Sequence, residues 1–284
     1  MKKNRIYKNF IFLIILLCVI AIIKNDFFSA VGAQGDVDYS RYYYAQLSDE
    51  AKLIYDGIIN SIEDTKGGTH TIEISINTSQ FNNLKNNGNE IVQSAMDAFD
   101  RDHPEVFWLD VTKLQVKFKS NKIMLTPLGD NGDYLISDYE NQEESNLVSD
   151  DWNTMEGIIN NIISYTDNMT DYEKIKYIHD YLVINNEYNQ EPLVASAKAY
   201  KSISALIGNS NNEYAPLCEG YARAFKVLCD RLSIPCVIVS GESIIGNEHL
   251  GHMWNYVMVD KKWFAIDVTW DDPVLISGSY DDLP

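Results

Sequence analysis

Two alternating runs that meet at Asp260-Lys261 constrain this chain more than any other feature. His252 to Val259 reads His-Met-Trp-Asn-Tyr-Val-Met-Val, and Trp263 to Trp270 reads Trp-Phe-Ala-Ile-Asp-Val-Thr-Trp. Both are rich in aromatic and β-branched residues, which suit a pleated, half-buried surface. With Asp260-Lys261 as a two-residue hairpin loop, Val259 faces Lys262 and His252 faces Thr269. Asp267 is then the diagonal neighbour of His252 on one sheet face, close enough for an imidazole–carboxylate contact. The fold must therefore contain an antiparallel sheet with something packed on that face.

The natural cover lies just upstream. Pro216, a residue favoured at the first helical position, opens a segment in which Ala222, Phe225, Leu228, Cys229 and Leu232 recur at helical spacing. Cys218 falls in the first turn, where unpaired backbone N–H groups and the helix dipole favour a thiolate. The same N–H groups are suited to holding an oxyanion. Cys229 lies three turns deeper and reads as a small core hydrophobe, as does Cys236 at the head of Val237-Ile238-Val239. A Cys229–Cys236 disulfide stays open at this point.

The amino terminus reads as an export signal. Lys2, Lys3, Arg5 and Lys8 precede an apolar run from Phe10 to Ile23, too short for an ordinary membrane span but suited to a signal-peptide core. Val31-Gly32-Ala33 supplies small residues for cleavage before Gln34, and an uncleaved anchor is the competing reading. Removal of residues 1–33 leaves Cys218, Cys229 and Cys236, an odd number that is unusual for an exported disulfide scaffold. Acidic residues outnumber basic ones by 41 to 23. Such a surface repels nucleic acid and anionic lipid and keeps an exported protein soluble.

The remaining chain is long enough for one large domain or two small ones. Ser48-Asp49-Glu50 caps a helix with Leu53, Ile54, Ile58 and Ile62 at helical spacing. Thr69 to Thr78 alternates around Ile72, Ile74 and Ile76 as a strand, and Asn89 to Arg101 reads as helix. Val106 to Phe118 and Lys122 to Thr126 read as strands joined near Ser120-Asn121, which gives a small α+β region over 34–147. The acidic stretch from Asp130 to Asp150 reads as a turn and a solvated linker; Asp130-Asn131-Gly132-Asp133 lacks the later ligands of a calcium loop. Helices resume at 151–165 and 171–185, the second with a Thr170…Glu173 capping box and a stripe of Tyr172, Ile175, Ile178, His179 and Leu182. His179 reads as a partly buried structural histidine.

The blocks Cys218-Glu-Gly-Tyr-Ala, Gly251-His252-Met-Trp-Asn and Trp263-Phe-Ala-Ile-Asp267-Val-Thr-Trp270-Asp271-Asp272-Pro273 resemble those of the transglutaminase-like superfamily. The resemblance extends to the bacterial branch related to kyphoscoliosis-type peptidases. The resemblance implies an α+β, papain-like core over 148–284, with a nucleophile helix on an antiparallel sheet and a thioester intermediate. It assigns Cys218 as nucleophile, His252 as general acid/base and Asp267 as its orienting partner. Similarity of Ala199-Tyr200-Lys-Ser-Ile-Ser to the family marks Tyr200 as a candidate oxyanion donor.

A zinc site from Glu248, His249, His252 and Cys218 fits poorly, because the pattern is not His-Glu-x-x-His on a helix. A glycosidase needs two placed carboxylates, and this many acids single out no pair. The expected activity is cysteine-dependent acyl transfer on extracellular peptide or protein amides, cell-wall peptides included, with no cofactor. Water as acceptor gives a peptidase or amidase, and a lysine amine gives a cross-linker. The alternative is a non-catalytic binding or scaffold protein of the cell envelope.

Overall fold

A computed structural model of the chain describes residues 38–66, 71–84, 87–119, 121–127, 142–190, 195–208, 215–245 and 248–272. The signal or anchor expected in 1–33, the Asp130–Asp133 turn and Pro273 lie outside these residues. Among the described residues no helix is long and apolar enough to cross a membrane.

The first unit opens on short 3-10 turns at Tyr39–Arg41 and Tyr44–Gln46. Helix α1 (Asp49–Asn60) begins where the Ser48 side chain accepts the Ala51 N–H at 3.2 Å, and it buries Ala51, Ile54, Tyr55 and Ile58. Ile62 falls past its end, in the short α2 (Ile62–Lys66). Strand β1 (Ile72–Ser75) alternates buried and exposed residues as expected, although it is shorter than the 69–78 pattern. Helix α3 (Thr78–Leu84) is not legible as a helix, since its short run is mostly polar and Thr, Ser and Asn are weak helix formers. Helix α4 (Gly88–Asp102) buries Val92, Ala95, Met96 and Phe99.

Strands β2 (Leu114–Lys119) and β3 (Lys122–Pro127) form the hairpin, and the sheet order is β1-β3-β2, all antiparallel. The strand expected from Val106 starts eight residues later. Asp110 explains the difference: its carboxylate accepts the Thr112 N–H at 3.0 Å and the Thr112 hydroxyl at 2.6 Å, which stabilises a 3-10 turn at Val111–Lys113. The apolar residues before it are buried as a loop, with Trp108 Nε1–H donating to Thr65 Oγ1 at 3.2 Å.

Helix α5 (Gln142–Thr166) begins inside the stretch expected to be linker, so residue 147 lies within a helix. Helix α6 (Asp171–Ile184) carries the reciprocal Thr170–Glu173 box and buries Ile175, Ile178 and Leu182. Tyr172 departs from the expected stripe and is exposed. A 3-10 turn at Ala197–Tyr200 leads into α7 (Ser202–Ile207), and α8 (Cys218–Arg231) follows.

The second sheet is β4 (Cys236–Ile245), β5 (Glu248–Val259) and β6 (Lys262–Ile266), antiparallel in that order. Cys236, Ile238, Met253, Asn255 and Val257 are buried, and Asn255 Nδ2–H donates to the Ala222 carbonyl at 3.0 Å, which seats α8 on the sheet. The sulfurs of Cys229 and Cys236 make a hydrogen-bond contact there as free thiols. No bond joins them, and burial, then the neighbouring thiol, pushes Cys229 well above the usual thiol range.

The two units share one buried cluster, which contains Ile54, Phe99 and Ile123 as well as Ile178, Phe225 and Val257. Polar contacts join them too. Arg223 of α8 is buried and pairs with Asp100 of α4; its Nη1–H also donates to the Asp100 carbonyl at 2.9 Å. Ser202 donates to the Pro104 carbonyl at 2.6 Å, and the Tyr43 hydroxyl donates to the Ile238 carbonyl of β4. The soft boundary expected near 147 is thus no break in packing, because the sequence on either side buries its apolar faces against the other.

Candidate active site

Helix α8 starts two residues later than Pro216 suggested. Leu217 is its cap, with extended backbone and no side-chain acceptor, and Cys218 is the first helical residue. Pro216 instead lies in the strap leading in, where its carbonyl accepts the Asn189 N–H at 3.1 Å. The Leu217 N–H donates to the Ala199 carbonyl at 3.0 Å. A Cβ on Gly220 would lie 2.6 Å from both Ala199 O and Ser204 Oγ, so a glycine lets the helix head press against the 197–204 segment. As at any helix start, the first-turn N–H groups have no i−4 partner, and Leu217 supplies no side-chain acceptor for them.

The β5–β6 turn matches the expected register, with Val259 opposite Lys262. Asp260 and Lys261 have φ values of 49° and 62°, the left-handed pair that a type I′ turn requires. The ladder stops at Asn255–Ile266, however, so Thr269 does not pair with His252. The chain turns instead, with the Trp270 N–H donating to the Asp267 carbonyl at 3.2 Å and to Asp267 Oδ1 at 3.4 Å. His252 sits opposite Gly241 of β4.

The expected histidine–carboxylate contact forms by this different route. His252 Nε2 lies 2.6 Å from Asp267 Oδ2, and the imidazole also makes a hydrogen bond with Cys218. Cys218 packs against Ala222, Ile238 and Met253 while staying partly exposed. Burial opposes the charged imidazole, but the contacts with Asp267 and Cys218 outweigh it and push His252 up to about 9. Trp254 stacks on the ring with centroids 5.8 Å apart, and Trp270 meets it edge-on at 6.3 Å. Gly241 makes room for Trp254, whose ring lies 2.6 Å from where a Cβ would stand.

Tyr200 ends the 3-10 turn beside the Ala199 carbonyl that holds the helix head. A second tyrosine, Tyr188, stands at the same place and carried no motif. It stacks on Tyr221 at 6.5 Å with an interplanar angle of 12°. Its neighbour Asn189 donates Nδ2–H to the Ala215 carbonyl at 3.2 Å. Burial, followed by the charges of Cys218, Tyr200 and Asp267, pushes the Tyr188 phenol up to about 12. His179, read as structural, bridges α6 to the turn after β6: Nε2 lies 3.0 Å from Asp271 and Nδ1 lies 3.1 Å from Asp180. His249 is engaged elsewhere, 2.8 Å from Glu242 across the β4–β5 hairpin, apart from the Cys218–His252 pair.

A cysteine at the head of a helix that lies on an antiparallel sheet, with a histidine–aspartate pair beside it, is the arrangement expected of a transglutaminase-like domain. Comparison with known proteins bears on the same stretch of chain. The family model for the transglutaminase-like superfamily matches residues 161–268, and this stretch is a transglutaminase-like domain. Kyphoscoliosis peptidase of Mus musculus is 28% identical over 110 residues, 36% of this chain and 16% of that protein. The chain thus matches less than a fifth of that relative's length. A solved structure, the crystal structure of a TGase, is 18% identical, covers 63% of this chain and 48% of its own, and has a TM-score of 0.36.

Proposed function

We propose that this chain is a cysteine-dependent acyl-transfer enzyme acting on peptide or protein amides outside the cell. One observation carries the reading: a single imidazole bonded to a thiol at the head of an α-helix and to a carboxylate. In the reaction, the Cys218 thiolate attacks the amide carbonyl carbon, and the developing oxyanion takes hydrogen bonds from N–H groups of the first turn of α8. Collapse expels the amine, which receives its proton from His252, and leaves a thioester on Cys218. Water or a primary amine then attacks the thioester while His252 takes its proton, and the Cys218 thiolate is released. Asp267 holds the imidazole by Nε2 throughout, leaving Nδ1 for the sulfur. Hydrolysis and transamidation share these steps and differ in the acceptor alone. Action outside the cell is supported by the basic start and apolar run within residues 1–33.

The test is alkylation of the protein lacking residues 1–33 by iodoacetamide between pH 5 and 9, with the modified cysteine located by mass spectrometry. Selective labelling of Cys218 below pH 7, lost in His252→Ala, is expected, while the buried Cys229 and Cys236 stay unlabelled. Amide substrates offered with and without a primary amine then separate hydrolysis from cross-linking. Activity that persists in Cys218→Ala sinks the mechanism, and a wild-type chain that turns over no amide favours a binding or scaffold role.

A further inference from the structure

Asp267 lies on a turn rather than on the sheet ladder, so its aim at His252 depends on what holds that turn. Asp272, five residues on, is buried at 7% exposure although it carries a carboxylate. Its Oδ2 accepts the hydroxyl of Tyr221, which stands one helical turn after Cys218 on α8. The same carboxylate accepts the Tyr188 N–H, from the segment beside the helix head. Within the turn, the Asp272 N–H reaches back to the Thr269 carbonyl at 3.4 Å.

We infer that Asp272 is a positioning residue, which clamps the turn bearing Asp267 to the helix bearing Cys218 through Tyr221 and Tyr188. This rests on the acyl-transfer reading for its purpose, though not for its geometry. A buried carboxylate accepting from two separate elements is costly to leave unpaired, so the turn and the helix head are fixed in one arrangement. The nucleophile and the orienting carboxylate then keep their spacing on the imidazole between them. The groups that bear on Asp272 are the Tyr221 hydroxyl, the Tyr188 N–H and Glu187; its neighbour Asp271 is engaged by His179 from α6.

The experiment follows the His252 imidazole by NMR titration without substrate, in the wild-type chain and in Asp272→Ala and Tyr221→Phe. Both variants are expected to lower the His252 midpoint by at least one pH unit and to slow Cys218 alkylation at pH 6 at least tenfold. The double variant should add little to either single one, because both break the same link. Tyr221→Phe removes one oxygen and carries the test if Asp272→Ala fails to fold. An unchanged midpoint and alkylation rate in folded Tyr221→Phe overturns the inference, as does full additivity in the double variant. The midpoint is read without turnover, so a chain that hydrolyses no amide yet shows the coupled shift overturns the enzyme reading and leaves the clamp standing.

Discussion

Among the described residues, His252, Asp230 and Asp272 each hold more protons folded than unfolded, and they push stability in the same direction. His252 is raised to about 9 because its bonds to Asp267 and Cys218 outweigh burial. Burial raises Asp230 to about 7 despite the Lys226 ammonium beside it, and raises Asp272 to about 6 despite its two donors. A raised pKa means that the folded state binds more protons, so stability falls as pH climbs through the window between unfolded and folded values. For Asp272 and Asp230 that window opens at 3.8 and closes near 6 and 7 respectively. For His252 the stabilisation is complete below 6.5 and is lost as pH rises through about 9. Thermal unfolding followed between pH 5 and 9 should therefore give a melting temperature that falls throughout. In His252→Ala the upper part of that fall should disappear. A melting temperature that rises with pH across this range contradicts the assignment.

Among the elements, the β5–β6 hairpin sets the site at the cost of two left-handed residues that are not glycine. Asp260 tolerates that conformation through its short polar side chain, whereas Lys261 has no such compensation. Lys261→Gly should therefore stabilise the chain by about 0.5 kcal/mol, the relief of strain being partly offset by the freedom glycine has when unfolded. Urea titration monitored by tryptophan fluorescence reads this as a higher midpoint at unchanged slope. A lower midpoint would mean that the lysine side chain contributes packing there. The capping box of α6 and the Ser48 cap of α1 are local devices of the same kind, each closing a helix start with a side chain three residues or fewer from its partner.

The whole molecule is joined through α8, whose buried face carries Arg223 and Lys226 as well as Phe225 and Leu228. Arg223 meets Asp100 and, at 3.6 Å, Glu219; Lys201 lies 4.0 Å from the same Asp100. The helix that presents Cys218 is thus held by a carboxylate from the amino-terminal unit. Asp100→Ala takes the nearer carboxylate from a buried guanidinium and leaves it Glu219 and a main-chain carbonyl, so about 3 kcal/mol of stability should go with it. The double variant Asp100→Leu/Arg223→Met should recover most of that loss, as measured by chemical denaturation. Recovery would show that the pair fixes the arrangement of the two units more than it adds to stability.

The sequence by itself determined what local rules can reach. The Asp260-Lys261 turn set the hairpin register, the Ser48 and Thr170 caps placed two helix starts, Pro216 marked a helix start close enough to put Cys218 in the first turn, and helical spacing put Cys229 in the core. These depend on contacts a few residues apart, which leave a periodic or positional mark. The tertiary structure decided the rest. It ended the ladder before Thr269 and brought Asp267 to His252 by a turn, because Asp267 caps that turn itself. It made a loop of 106–113 where alternation suggested a strand, because Asp110 offered the backbone a nearer partner. It also chose Tyr188, Asp272 and Asp100 as supports of the site. Their partners lie between 33 and 123 residues away along the chain. A buried polar pair of that separation has no spacing to announce it, since its stability comes from the enclosure that folding creates.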